Sequence, residues 1–291
     1  MSAASATSSP SRRRRAWLRW PRFLRSRQGI VGVFLFALVV GTALIGPLVA
    51  PHALDAPIGI PGNGPGAGAP LGVDSVGRDV LSRLLHGGTA VLEVSFVTTA
   101  LIYFVGVSVG MVAGLSRSLV DPILMRIVDV FLVFPPLVLL LLLFAGAGTG
   151  VGVLVIGVVL VLSPGVARLV RTATLEVSTT AYIEAAVARG ERTPAIMWRE
   201  VLPNIAPSII ADVGVRFSGV IVLAASVNFL GLGAKPPAAN WGLMIAENLQ
   251  IVATNLWSVL APAIMLGLLT VSVNLVGDAY SRSLGRTQAP S

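Results

Sequence analysis

Residues 181–207 read AYIEAAVARGERTPAIMWREVLPNIAP, and this stretch decides how the rest of the chain is read. It is a strongly polar run set within a sequence built from long apolar segments. Glu184, Arg189, Glu191, Arg192, Arg199 and Glu200 ride on a base of small residues. Thr180 is placed to cap a short helix beginning at Ala181, and Gly190 to stop it in the left-handed conformation. Thr193 with Pro194 restarts a second helix, because proline is tolerated at the first helical position, and Pro203 and Pro207 punctuate the exit. Ala185, Ala186 and Ala188 give the first helix little bulk, so a partner surface can approach its backbone closely. Helix, tight turn, helix between two apolar segments is the shape of a docking knob; a plain solvated loop is the alternative.

Outward from this stretch, the chain is 55% hydrophobic and 12% charged, with a mean hydropathy of +0.86. That balance belongs to the polytopic membrane class. A bilayer span needs about 20 apolar residues. The runs 28–54, 94–116, 130–167, 217–234 and 248–277 contain no Asp, Glu, Lys or Arg, and the third is long enough for two spans around the glycine-rich turn 146–152. The expected fold is therefore all-α, with six transmembrane helices. The expected divisions are a basic tail 1–27, a first span 28–50, an extracytoplasmic segment 51–88, a five-helix core 89–280 with the polar loop 173–207, and a tail 281–291.

Charge placement gives the orientation. Eight arginines fall between Arg12 and Arg27, then come Arg117, Arg126, Arg168, Arg171, Arg189, Arg192, Arg199, Arg282 and Arg286. Six crossings from a cytoplasmic start put all of these on one side and leave Arg78, Arg83 and Lys235 outside, with Arg216 inside a helix. The excess of basic loops on one side predicts both termini in the cytoplasm. Arginines 12–15 would meet lipid headgroups. A twin-arginine export signal is disfavoured because the apolar stretch 29–50 is longer than a signal segment and further spans follow. Basic residues that flank spans, without interleaved aromatics on a soluble domain, do not read as nucleic-acid binding. There is no cysteine, which removes thiol and disulfide chemistry. No His, Asp and Glu cluster has metal-ligand spacing, and no nucleophile stands beside a histidine, so catalytic and metal sites are both read as none.

Several smaller features carry expectations. The Pro- and Gly-rich stretch 51–70 reads as irregular loop. Asp79 and Arg83 stand four apart as a surface pair, and Arg126 and Asp129 three apart can neutralise one another. Pro135-Pro136 predicts a mid-membrane kink, and Ser163-Pro164-Gly165 repeats the device. These breaks are either hinges or packing features. Helix two is expected from about residue 89 and helix five over about 208–233. Asp212 and Arg216 would then fall in the first turns of helix five as an interfacial structural ion pair, with a gate as the alternative.

Glu184-Ala185-Ala186, Gly190 and Leu202-Pro203 together resemble the EAA loop of the inner-membrane permease subunits of binding-protein-dependent ABC importers. Leu71-Gly72-Val73-Asp74, with Gly77-Arg78-Asp79 and Ser82-Arg83, is similar to a signature of the dipeptide, oligopeptide and nickel branch, with Val73 replacing its threonine. The segments 121–135, Phe229-Leu230-Gly231-Leu232-Gly233 with Pro236-Pro237 and Trp241-Gly242, and 274–278 look like the same branch. Glu200 and Ala224 depart from the pattern.

The resemblance implies the type I ABC importer permease fold. It implies a second homologous permease, two ATPase subunits or one fused ATPase, and an extracytoplasmic substrate-binding protein as partners. Tyr182, Glu184, Ala185, Ala186, Gly190, Leu202 and Pro203 would couple to the ATPase, and Ser226, Asn228 and Phe229 would line the path. No GxxxxGK[ST] loop is present, so the chain binds no cofactor and ATP with Mg falls to the partners. The implied function is ATP-driven import of dipeptides or oligopeptides across the bacterial inner membrane. Nickel or another small solute of the branch is the alternative. An ion-coupled carrier is the further rival; it would show mid-span acids and an internal repeat, and the sequence reads as having neither, with its acids at span ends and halves that do not align.

Overall fold

The structure, a computed structural model, describes residues 26–116 and 118–285. Arginines 12–15, Arg117, Arg286 and most of both tails lie outside the described residues. Among the described residues ten α-helices follow one another: α1 (Arg27–Val49), α2 (Val80–Leu115), α3 (Val120–Val133), α4 (Pro136–Ala147), α5 (Val151–Ser178), α6 (Ala181–Ala188), α7 (Thr193–Ile196), α8 (Leu202–Phe229), α9 (Trp241–Asn248) and α10 (Trp257–Gly285). Among the described residues there is no strand, only isolated bridges within the 57–79 loop. Among the described residues five helical segments are long and apolar enough to cross a bilayer, and α3 with α4, bent by 95°, passes the same test as a pair, for six if the two form one span.

The bend has a local cause. Pro135 and Pro136 supply no N–H, and a residue before proline is driven out of the helical region. Phe134 accordingly turns extended, with ψ 136°, and Pro136 starts α4. The expected second break does not occur, because α5 runs through Pro164 without interruption.

α2 begins at Val80, not near residue 89, because Asp79 caps it: one carboxylate accepts the N–H groups of Leu81 and Ser82 at 3.2 Å each. Two turns of the expected extracytoplasmic segment therefore belong to this helix. Lower down, α2 lies parallel to α5. Gly106, Gly110 and Gly114 face Val166, Val170 and Thr174, and a Cβ on any of the three would stand 2.7 Å from the Cβ opposite. Backbones approach this closely in lipid through small residues four apart, which replace the missing hydrophobic driving force with dense packing.

Two apolar cores result. One joins α2, α4, α5 and α8 around Ile102, Val158 and Val220, and extends to Ile183 and Ala186 of α6. The other gathers Val39, Phe217, Ile221, Met244 and Leu269 about Trp241, whose Nε1–H donates to the Leu84 carbonyl at 2.8 Å. α3 is tied to α5 by charge as well. Asp129 accepts from Arg168, not from Arg126 as its spacing suggested, and Asp121 takes both Nε and Nη2 of Arg171 at 2.5 and 2.7 Å. A partner on the facing helix fixes the guanidinium better than a flexible neighbour on the same one.

Candidate functional site

α6 ends as its sequence requires. The Gly190 N–H donates to the Val187 carbonyl at 3.0 Å and the Glu191 N–H to the Ala186 carbonyl at 3.2 Å, with Gly190 at φ +74°. This pair of bonds closes a helix through a left-handed residue, a conformation that glycine enters at no steric cost. Thr180 occupies the N-cap position but does not cap; its hydroxyl donates to the Val177 carbonyl instead, at 2.5 Å. Tyr182, Glu184, Ala185 and Val187 face outward, and a Cβ on Gly190 would meet nothing within 4 Å. Ala186 is different. Fully buried beside Ile183, it seats α6 on its own bundle and cannot itself touch a partner.

The second half of the stretch does not exit at its prolines. α7 passes through a π-helical turn, Met197–Val201, directly into α8, with Pro203 in the first turn and Pro207 within the helix. A π turn shifts the hydrogen-bond register by one residue, opening the backbone where proline offers no donor. Asn204 adds a side-chain donor, its Nδ2 giving to the Glu200 carbonyl at 2.6 Å. Leu202 is half-buried and Pro203 exposed. The helical segment Thr193–Phe229 is thus continuous over 37 residues, about 55 Å at 1.5 Å per residue.

That continuity moves the ion pair. Asp212 and Arg216 lie near the middle of α8, not in its first turns, since the helix starts well before residue 208. Asp212 Oδ2 accepts from Arg216 Nε at 3.0 Å and from the Tyr103 hydroxyl of α2 at 2.8 Å. Gly165, midway along α5, makes room: a Cβ there would stand 2.8 Å from Arg216 Nη1 and 3.0 Å from Nη2. Three helices meet at one polar triad in the bundle interior.

Toward the end of α8, Asn228 is buried and its amide is spent on backbone. Nδ2 donates to the Ala224 carbonyl and Oδ1 accepts the Ala234 N–H, both at 2.8 Å. It closes the helix end, with one donor and one acceptor of the amide bonded to backbone. Ser226 and Phe229 do reach an open recess of about 390 Å³, with Leu137, Ile245 and Leu266 among its walls.

The 71–83 motif builds a clasp at the same end of the bundle. Asp79 and Arg83 are not a surface pair: both are buried. Arg83 Nη1 donates to Asp74 Oδ2 at 2.7 Å and to Glu247 Oε2 of α9 at 2.6 Å, while Arg78 Nε donates to Asp74 at 2.7 Å. Two cations and two carboxylates balance. Burial alone would push the Asp74 carboxyl upward; the backbone N–H groups of Arg78 and Val76 and the two guanidiniums overcome it and hold the group below its ordinary 3.8. Asn248 and Asn255 complete the clasp, accepting the Ser75 N–H and donating to the carbonyls of Leu71 and Val73. Glu247 was not singled out from the sequence, because nothing local to it announces a partner more than 160 residues away.

Comparison with known proteins defines the class. A family described as "Binding-protein-dependent transport system inner membrane component" matches residues 106–286, and the chain belongs to that family. The "N-terminal TM domain of oligopeptide transport permease C" matches residues 11–60. Among curated relatives, the di/tripeptide transport system permease protein DppC of Pseudomonas aeruginosa is 32% identical, covering 91% of this chain and 90% of its own. The glutathione transport system permease protein GsiD of Pectobacterium atrosepticum is also 32% identical, over 91% and 89%. Among solved structures, an inward-facing MetNI methionine ABC transporter chain shares the fold, with a TM-score of 0.57 at 20% identity over 69% of this chain and 96% of its own. This is a multi-span permease component of an ABC importer.

Proposed function

We propose that the chain is one half of the translocation path of an ATP-driven peptide importer, paired with a second homologous permease. Two ATPase subunits, or one fused chain, dock on α6 and the start of α8, and an extracytoplasmic binding protein delivers the peptide at the α9 end. Its relatives by name transport dipeptides, tripeptides and glutathione. ATP and Mg are bound by the ATPases, since this chain has no phosphate-cradling loop. Both termini and α6 lie in the cytoplasm, and the membrane is the bacterial inner one.

One observation carries the coupling role: a short helix with a free outer face, closed by a left-handed glycine, leads through only four residues into a helix that crosses the bundle. Closure of the ATPase dimer moves α6, and the segment Thr193–Phe229 conveys that movement as a rigid body past the triad to Ser226 and Phe229. Tyr182, Glu184, Ala185 and Gly190 form the contact, and Ala186 holds α6 to its own bundle. Alternating access follows from two packings of this lever against α2 and α5.

The test is reconstitution of the purified permease pair, ATPase and binding protein in proteoliposomes with a labelled dipeptide. Uptake that requires ATP and all components supports the reading. Uptake by the permeases without the ATPase, or labelling of a cysteine at position 185 from the binding-protein side, would sink it.

A further inference from the structure

Asp212, which also accepts from the Tyr103 hydroxyl, engages only the Nε of the Arg216 guanidinium. Among the described residues neither Nη1 nor Nη2 has a hydrogen-bond partner, and the side chain keeps 25% of its surface exposed. A guanidinium in a spanning helix meets lipid only at a cost, which reaches about 3 kcal/mol at the bilayer centre, so its open edge faces water, substrate or protein. The surrounding geometry favours substrate. Asp212, Gly219 and Ser226 recur every seven residues on α8 and mark one line of polar or very small side chains, alongside the exposed Val215, Val222 and Phe229. At Gly219 a Cβ would meet only Leu162, at 3.8 Å, so that line is open midway. It leads from the triad to the recess at Ser226 and Phe229, roughly 20 Å along the helix axis. Gly165 clears the space the guanidinium head occupies.

A planar fork with two free N–H edges is matched to a carboxylate. We propose that Nη1 and Nη2 of Arg216 receive the C-terminal carboxylate of the transported peptide inside the bundle, with Asp212, itself held by the Tyr103 hydroxyl, fixing the guanidinium by its Nε. This rests on the peptide reading above. Asp212 offsets the guanidinium charge, so the site is neutral when empty and carries one negative charge when occupied. Such a site binds weakly enough to release its cargo.

The experiment uses the complete reconstituted importer and two labelled peptides of one sequence, a free acid and its C-terminal amide, chosen so that calorimetry shows the binding protein saturated by each. Wild type, Arg216→Gln and Arg216→Lys are compared for uptake and for ATP hydrolysis stimulated by the loaded binding protein. Arg216→Gln is expected to lower free-acid uptake about tenfold or more while amide uptake changes less than about twofold, with stimulated ATP hydrolysis retained. Arg216→Lys, which keeps the charge and loses the fork, falls between. Equal loss for both peptides, or an unchanged acid-to-amide ratio, overturns the site. Should Arg216→Gln fail to assemble, Arg216→Lys decides by the same ratio. A wild-type complex that assembles and imports neither peptide overturns the peptide reading and this site with it; wild-type import with an unaltered ratio in both variants overturns the site alone.

Discussion

The Leu202 N–H donates to the carbonyl of Met197, five residues back, and that bond joins α7 to α8 without a break. A loop between α7 and α8 would absorb a displacement of a few ångströms. A continuous helix passes it on.

Gly190→Ala tests the left-handed stop. A side chain at φ +74° costs roughly 1–2 kcal/mol, although the added Cβ itself would meet no atom of this chain. The expected result is an assembled permease pair that has lost most ATP-driven uptake and binds its ATPase more weakly, while the binding protein captures peptide normally. Gly190→Trp should abolish uptake. Both are read by pull-down and vesicle transport.

The α2–α5 contact predicts a sharper, purely structural loss. In Gly110→Val the new Cβ would stand 2.6 Å from the Ala167 carbonyl oxygen and 2.7 Å from the Val170 Cβ, both in a packed helix. Overpacking of this kind costs about 1–3 kcal/mol or more, seen as a lower melting temperature in detergent. Gly146→Ala, where nothing lies within 4 Å, should melt like the wild type.

Asp74 gives the clasp a pH dependence. Its folded pKa lies below 3.8, so the folded state binds fewer protons than the unfolded chain. The resulting stability is complete above the unfolded value and is lost as pH falls through the lowered one. The melting temperature should therefore drop below about pH 4. Asp74→Asn should remove that part of the acid response and destabilise at neutral pH by on the order of 3 kcal/mol, because Arg78 and Arg83 lose a buried partner.

Much of this was legible in the chain, and the misses share a cause. Long apolar runs announce spans because a bilayer admits little else, and Gly190 announces a stop because few residues enter that conformation. Pro203 and Pro207 suggest an exit in the sequence because the cost of proline is local, whereas the compensating π turn leaves no mark in composition. Asp79, Arg83 and Asp129 were assigned neighbours three or four residues away; spacing is blind to Glu247 and Arg168, which tertiary structure brings close. The GxxxGxxxG pattern of Gly106, Gly110 and Gly114 was present in the sequence, but its parallel partner on α5 emerges only once α3 and α4 have returned the chain across the bundle.

Trp241 offers a measure of how firmly α9 is held. Trp241→Phe keeps an aromatic ring but loses the pyrrole part of the indole and its donor to the Leu84 carbonyl, an expected loss of about 1–3 kcal/mol. Trp241→Ala empties a fully buried site against Gly87 and Gly88 and should cost about 3–5 kcal/mol. Thermal melts monitored by circular dichroism would separate the two.

The clasp also imposes an order of events on biosynthesis. Glu247 follows Arg83 by 164 positions, so at 5–20 residues per second a ribosome needs about 10–30 s to deliver it. During that interval the 74–83 segment holds two arginines against Asp74 alone, without the second carboxylate that Arg83 finally grips. The early spans must wait, already inserted, for a counterion that arrives near the end of translation, and the bundle is sealed from its last-made part back to its first.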